Sequence, residues 1–364
     1  MAIDKIESAG LETSTNQPNF RNIIINGDMS IAQRATSASS ISSSGYQTVD
    51  RFINEMDAAG TWTISQSTTV PSGQGFATSL KMDCTTANGS LSAGSYNIFS
   101  QRLEGQNLQY LKFGTSSAES LTLSFWVRSN KTGTYTLEIN SFATNKSQSQ
   151  TYTISSADTW EKKTVTFTGD TATAIANDNA RSLNLMFWLA AGTTYTSGTL
   201  NTSFNTKTDA NRVSSSQVNL ADSTSNEWYV TGVQLEAGTI ASDFEFLPVD
   251  ANLLRCQRYF QKIDGSGSNT VMTVMQAYGS DNAIGGFPAI IQFRANPTLS
   301  TTGSFNAWTA NAGNRADGAI ALYSASTTQN GFLFTRASEG TLSAGNASGL
   351  YTASAATVLF DAEL

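Results

Sequence analysis

Acidic side chains are the first place to look for chemistry in this chain. Glu104, Glu138, Glu161, Glu227, Glu236 and Asp50 are enough to supply the two carboxylates of a glycoside hydrolase, which flank a cleft roughly 5 to 9 Å apart. No spacing among them singles out a pair. The chain contains no histidine, which removes the usual general base, the Ser-His and Cys-His nucleophile pairs and the commonest transition-metal ligand. Two cysteines, Cys84 and Cys256, make neither a disulfide framework nor a zinc site. Cys84 alternates with Leu80 and Met82 in SLKMDC and is expected to face a core.

Asp28 and Glu236 are the metal candidates. Hard oxygen ligands at strand ends suit calcium; the plainer reading is that Asp28 caps a turn after Gly27 and Glu236 is solvated. Asp50-Arg51 and Arg102/Glu104 read as structural ion pairs, since the planar arginine fork pins loops and termini. Exposed aromatic rings are the usual sugar platforms, because they stack on the apolar faces of pyranoses. Trp308, in SFNAWTANAGNRADG, and Tyr323 sit among small polar residues where a loop tip would present them. Trp126 and Trp188 are the other candidates, on strands where a second sheet or a partner chain would bury them.

The elements that carry these residues are short period-2 segments separated by Gly/Ser/Asn turns. The clearest are LTLSFWVRS, with Leu121, Leu123, Phe125 and Val127 on one face, and SLNLMFWLA, with Leu183, Leu185, Phe187 and Leu189. Trp126 and Trp188 fall on the opposite faces. The stretch NEWYVTGVQLEAG reads as a closing strand, paired with the apolar run Ile23–Met29 as first and last strands of one sandwich, which would bring Asp28 close to Glu236. Leu200–Asn226, nearly all Thr, Ser, Asn and Asp, is a long polar excursion of the kind that is either mobile or functional. One helical piece is expected in VDANLLRCQRYFQKI, with Leu253, Leu254, Cys256, Tyr259 and Phe260 on one side. Beyond it the alternation returns and runs to Val358, Phe360 and Leu364. The fold class is therefore all-β: a jelly-roll β-sandwich, a short helical hinge and a smaller C-terminal β-sandwich. The expected domains are a docking segment 1–19, the jelly roll 20–250, the hinge 251–268 and the C-terminal sandwich 269–364.

Only 13% of residues are charged and the formal net charge is −7. That leaves no basic surplus for a nucleic-acid partner. No apolar run reaches the length of a membrane span, and MAIDKIESAG lacks the layout of a signal peptide, so no membrane insertion is expected.

The phrases IIINGDMSIAQR, TVDRF, QRLEGQNLQYL, WEKKTVTFTGD, WYVTGVQLEAG, FEFLP, LLRCQRYFQK and the terminal LFDAEL together resemble bacteriophage tail-fibre and minor virion proteins. The resemblance spans residues 20–364 in order. It implies a carbohydrate-binding jelly roll over 20–250, a homotrimer on the virion that is anchored to other virion proteins through residues 1–19, and a distal C-terminal domain. It also implies a structural calcium near the jelly-roll termini, with no other cofactor. The expected function is non-enzymatic adsorption to a host surface glycan. The alternatives are a capsid or collar decoration protein and a polysaccharide-degrading tailspike.

Overall fold

A computed structural model describes residues 20–265, 267–277, 279, 282–309, 313–316, 320–322, 332–338 and 344–364. The chain divides into two compact units. The first ends at Val249 and takes in Leu364; the second is Asp250–Glu363.

The first unit contains β1 (Ser37–Ile41), β2 (Phe52–Asp57), β3 (Thr61–Ser67), β4 (Ser79–Thr86), β5 (Tyr96–Glu104), β6 (Leu121–Ser129), β7 (Gly133–Ser141), β8 (Lys146–Ile154), β9 (Glu161–Phe167), β10 (Arg181–Ala191), β11 (Asn205–Thr206) and β12 (Glu227–Ala237). Among the described residues they form two six-stranded sheets, ordered β1-β3-β4-β12-β6-β9 and β11-β8-β7-β10-β5-β2. Every strand pairing in both is antiparallel. Alternation decides what each sheet hides. Leu121, Leu123, Phe125 and Val127 of the first sheet meet Leu183, Leu185, Phe187 and Leu189 of the second in one core with Trp62 and Trp228. Each such side chain contributes roughly 1.5–3 kcal/mol by leaving water. The fold is the jelly-roll sandwich expected from the alternation. Cys84 lies in the same core.

The pairing expected between Ile23–Met29 and β12 takes a different form. The segment runs beside β12, but as bends and turns rather than a strand. The Ile23 amide donates to the Leu235 carbonyl and the Val233 amide to the Gly27 carbonyl, both at 2.9 Å. β12 carries a bulge there, from Thr231 to Gln234, and the Asn22 side chain bonds the backbone beside it: its Oδ1 accepts from the Leu235 amide and its Nδ2 donates to the Val233 carbonyl. Gly27 is required for this approach, because a Cβ there would stand 2.0 Å from the Val233 carbonyl oxygen.

A helix, Val249–Gln257, opens the second unit. It is shorter than its sequence pattern suggested: Leu254 points to solvent and Phe260 already belongs to the next strand. The strands that follow are β13 (Phe260–Gly265), β14 (Val271–Ala277), β15 (Asn282–Pro288), β16 (Thr298–Thr302), β17 (Phe305–Thr309), β18 (Gly313–Ala316), β19 (Ile320–Leu322), β20 (Phe332–Ser338), β21 (Ala347–Thr352) and β22 (Ala356–Asp361). They build sheets ordered β13-β22-β16 and β18-β17-β21-β14-β15-β20-β19. Val358, Phe360 and Ala362 from the small sheet share a core with Met275, Phe287, Phe305 and Leu350 from the large one.

Candidate functional site

The outer face of the second sheet carries a concentration of polar and aromatic side chains. Because β10 turns Leu183, Leu185, Phe187 and Leu189 inward, its alternate residues Asn184, Met186 and Trp188 face out. Met186 and Trp188 join Ile98 of β5 and Val213 in a separate apolar cluster, with Tyr96 and Tyr195 packed against it. Val213 comes from the polar excursion Leu200–Asn226, and Tyr195 from the short helical turn just before it, Thr193–Thr196. The excursion is folded rather than loose. It contains the strand β11, and it returns to the sheet where the Val218 amide donates to the Thr134 carbonyl at 3.0 Å.

A buried polar knot holds this cluster. Glu138 of β7 is fully buried, and it accepts from Arg212 at both oxygens, at 3.0 and 3.1 Å. The Trp188 indole Nε1 donates to the same carboxylate at 2.9 Å. The Arg212 guanidinium carbon lies 4.9 Å from the Trp188 ring centroid and 5.7 Å from that of Tyr195. Burial works against the Arg212 charge, but the neighbouring Glu138 more than offsets it, and the guanidinium is held even more firmly protonated than usual. The three rings stand edge to face or tilted, with Tyr96–Tyr195 at 5.7 Å and Trp188–Tyr195 at 5.2 Å.

Beside the knot a groove of about 260 Å³ opens, lined by Tyr96, Tyr195 and Trp188 at one end and by Arg181, Phe142 and Lys207 at the other. Trp188 is fully buried, so the ring faces available to a ligand are those of Tyr96 and Tyr195, both half-buried, and of Phe142, which is 56% exposed. Burial raises the hydroxyl pKa of Tyr96, with Glu55 and Asp57 adding to it, and burial also raises that of Tyr195. Both hydroxyls stay protonated and able to donate. Arg181 stacks on Phe142 at 4.3 Å and donates to Asn184 Oδ1 at 2.8 Å. A second, smaller groove of about 220 Å³ lies on the other sheet, where Trp126 and Lys162 face a cluster of Phe76, Phe244 and Phe246.

The residues picked out from the sequence are distributed differently from expectation. The structure does not bring Asp28 and Glu236 together. The Asp28 carbonyl oxygen lies beside Thr231, five positions from Glu236 on β12. Asp28 accepts from the Ser30 hydroxyl at 3.0 Å, in a local turn. Glu236 is fully buried and accepts from the Ser242 amide, the Ser242 hydroxyl and the Gln234 side chain, with Arg21 at 3.7 Å. A shared calcium does not fit this arrangement, since the Glu236 oxygens already have their donors. No group of three or more metal-ligating side chains occurs among the described residues. Trp308 lies within β17, paired on both sides with Asn314 and Gly349, rather than at a loop tip; Tyr323 lies outside the described residues.

Trp188 is buried by the excursion, while Trp126 is half-buried at the second groove. Asp50 is buried and accepts from the Gln33 amide at 2.9 Å, and Arg51 donates to the Arg102 carbonyl. Arg102 pairs with Glu55 at 3.4 Å, whereas Glu104 accepts from Gln106. Tyr96, Tyr195, Arg181 and Arg212 carry no motif that marks them in the sequence. A lone aromatic in the turn-rich GTTYTSG was the available signal for Tyr195. Nothing local marked Arg212 as the partner of Glu138, 74 residues away.

No protein-family model matches the chain, and no curated protein sequence matches it. Among solved structures it is similar to the enzymatically active domain of bacteriophage CBA120 tailspike protein 4, with 13% identity, a TM-score of 0.31, and coverage of 60% of this chain and 21% of that one. A putative sugar-binding protein from Bacteroides thetaiotaomicron aligns over 59% of this chain and 99% of its own, with 13% identity and a TM-score of 0.32. A family 11 carbohydrate-binding module of a Clostridium thermocellum cellulase aligns over 56% and 99%, with 9% identity and a TM-score of 0.28. The chain thus spans about a fifth of the length of the tailspike that it matches.

Proposed function

We propose that this chain is a glycan-binding subunit of a phage fibre, and that the groove on the outer face of β7, β10 and β5 holds a segment of saccharide chain. The observation that carries the binding part is the set of half-buried rings, Tyr96 and Tyr195, set on the Arg212–Glu138–Trp188 knot beside a polar groove. Ring faces left open beside a trough suit the apolar faces of pyranoses, and groups fixed before binding lose little freedom when a ligand arrives. The virion part, with its homotrimer and its anchoring through residues 1–19, is supported by the phrases of resemblance from IIINGDMSIAQR to LFDAEL.

The proposed activity is binding without bond cleavage. Both Glu138 oxygens are occupied by Arg212 and Trp188, and Glu55 accepts from the Ser100 hydroxyl at 2.7 Å and faces Arg102. These two groove carboxylates are engaged in holding the protein together rather than standing free for acid–base work. Weak single contacts gain avidity when several copies act from one particle.

The test is a pull-down of the full chain on extracted bacterial surface polysaccharides, with Tyr195→Ala as the variant. Retention of the natural chain and loss in the variant supports the reading. Equal retention of both moves binding away from this groove. Release of reducing ends from any retained polysaccharide would overturn the non-enzymatic part.

A further inference from the structure

The groove has chemically different ends. At the aromatic end the acids are matched: Asp209 lies 3.5 Å from Arg212, and Glu138 is shared as described above. The other end has an excess of cations. Arg181 and Lys207 both line it, and neither has an acidic partner among the described residues. Burial, with the like charge of Arg102 nearby, lowers the Arg181 pKa, and the nearby Glu55 offsets this only in part.

A row of polar side chains adjoins these cations: Arg181 donates to Asn184, and Asn140 lines the groove. Ser147, Asn140, Asn184 and Arg102 occupy one cross-strand row over β8, β7, β10 and β5. Ser147, Asn140 and Asn184 are at most 4% exposed. Ser147 Oγ, Asn140 Oδ1, Asn184 Nδ2 and Arg102 Nε are buried without a hydrogen-bond partner. An unmatched buried polar atom costs about 1–3 kcal/mol, and four in one row is a high concentration for a sheet surface. Three of the four are donors or can donate, and the two cations beside them are donors only. Glu55, the carboxylate that also lines the groove, is held by Arg102 and the Ser100 hydroxyl, so among the described residues no acidic group bonds to Arg181 or Lys207.

We infer that the groove takes an acidic saccharide, with a carboxylate of a uronic acid residue seated at the Arg181–Lys207 end while a neighbouring sugar ring packs at Tyr96 and Tyr195. This inference rests on the glycan-binding reading of the same groove and names its ligand class. Asn184 and Trp188 are four residues apart on β10, about 13 Å along an extended strand. One sugar ring cannot serve both ends, so the ligand is an oligosaccharide and its orientation is fixed by charge. In a chain of net charge −7 this local excess is a selective feature rather than a general attraction for polyanions.

The experiment is calorimetric titration of the full chain with four uronic-acid oligosaccharides, from galacturonan, glucuronan, alginate and hyaluronan, each beside its carboxyl-reduced form, and with neutral glucan and galactan oligomers. At least one acidic oligomer is expected to bind about tenfold or more tighter than its reduced form, an advantage that shrinks as salt rises. Arg181→Gln and Lys207→Gln, checked for unchanged melting temperature, are each expected to remove most of that advantage without weakening the reduced form. Equal binding of acidic and reduced forms, or binding of neutral oligomers alone, overturns the inference and leaves the glycan reading standing. Absence of binding across the whole panel overturns both. An acidic preference that survives both substitutions overturns the placement at Arg181 and Lys207.

Discussion

The Arg212 guanidinium carbon stands 4.9 Å from the centroid of the Trp188 ring, while both side chains bond to one buried carboxylate, that of Glu138. The arrangement ties the polar excursion after β10 to the sheet face that it covers. It also supplies the rigid floor of the groove, because Tyr195 and Tyr96 pack against the same indole.

Removing one member of this knot should therefore cost more than a surface ion pair would. Arg212→Ala leaves Glu138 buried and short of its main partner, and a loss of about 3–5 kcal/mol is expected. Urea unfolding should show a lower midpoint with an unchanged slope. A loss below about 1 kcal/mol would mean that the knot is not a stabilising centre.

The two grooves can be told apart by paired truncations. Tyr195→Ala should weaken glycan binding about tenfold, in the range of one lost aromatic contact, whereas Phe246→Ala, which alters the groove at Trp126, should leave it unchanged. The reverse pattern in a titration would assign binding to the other sheet.

Gly27→Ala is expected to destabilise the first unit by roughly 2–4 kcal/mol, because the added Cβ would meet the Val233 carbonyl oxygen at 2.0 Å and push the segment off β12. Thermal melts of the purified variant would show it.

Acid should weaken the first unit partly through Glu227. Partial burial opposes its charge, but Lys81 at 2.8 Å and Arg128 at 3.4 Å outweigh that, and its pKa lies below the usual 4.5. A carboxyl whose folded value is depressed contributes stability that is fully present above the unfolded value and is lost as pH falls through the folded one. The melting temperature should therefore drop as pH falls from about 4.5 toward the depressed folded value. Glu227→Gln should flatten that part of the profile. An unchanged acid slope in the variant would locate the sensitivity elsewhere.

Both thiols should be silent in the native protein. Cys84 and Cys256 are buried. Desolvation, with Asp83 and Asp222 nearby, pushes the Cys84 pKa up to about 11. A disulfide-exchange reagent at pH 8 should count no reactive thiol until denaturant is added, and then two; a rapid native reaction would show that one of them is accessible.

Much of the fold could be read directly from residue order. The alternations at Leu121–Val127 and Leu183–Leu189 specify strands with one apolar face, and two such faces must meet, so the sandwich follows from period alone. The same alternation put Trp126 and Trp188 on outer faces, where they are found. What alternation does not encode is what covers an outer face. The excursion Leu200–Asn226 has no periodicity, yet it carries Arg212 and Val213 back onto β10 beside Tyr195, because one buried carboxylate and one indole require partners there. Asp28 and Glu236 failed to meet for a related reason: the antiparallel course of Ile23–Met29 along β12 and the bulge at Gly232 set their separation, and neither register nor bulge is written in residue type.

Strand faces, the core and the absence of histidine chemistry follow from residue order alone, since these depend on local period and composition. The groove exists only once the chain has folded. Its aromatic end, its unmatched cations and its row of unsatisfied polar atoms come from segments far apart in the chain, joined by long-range hydrogen bonds and packing that no local pattern records.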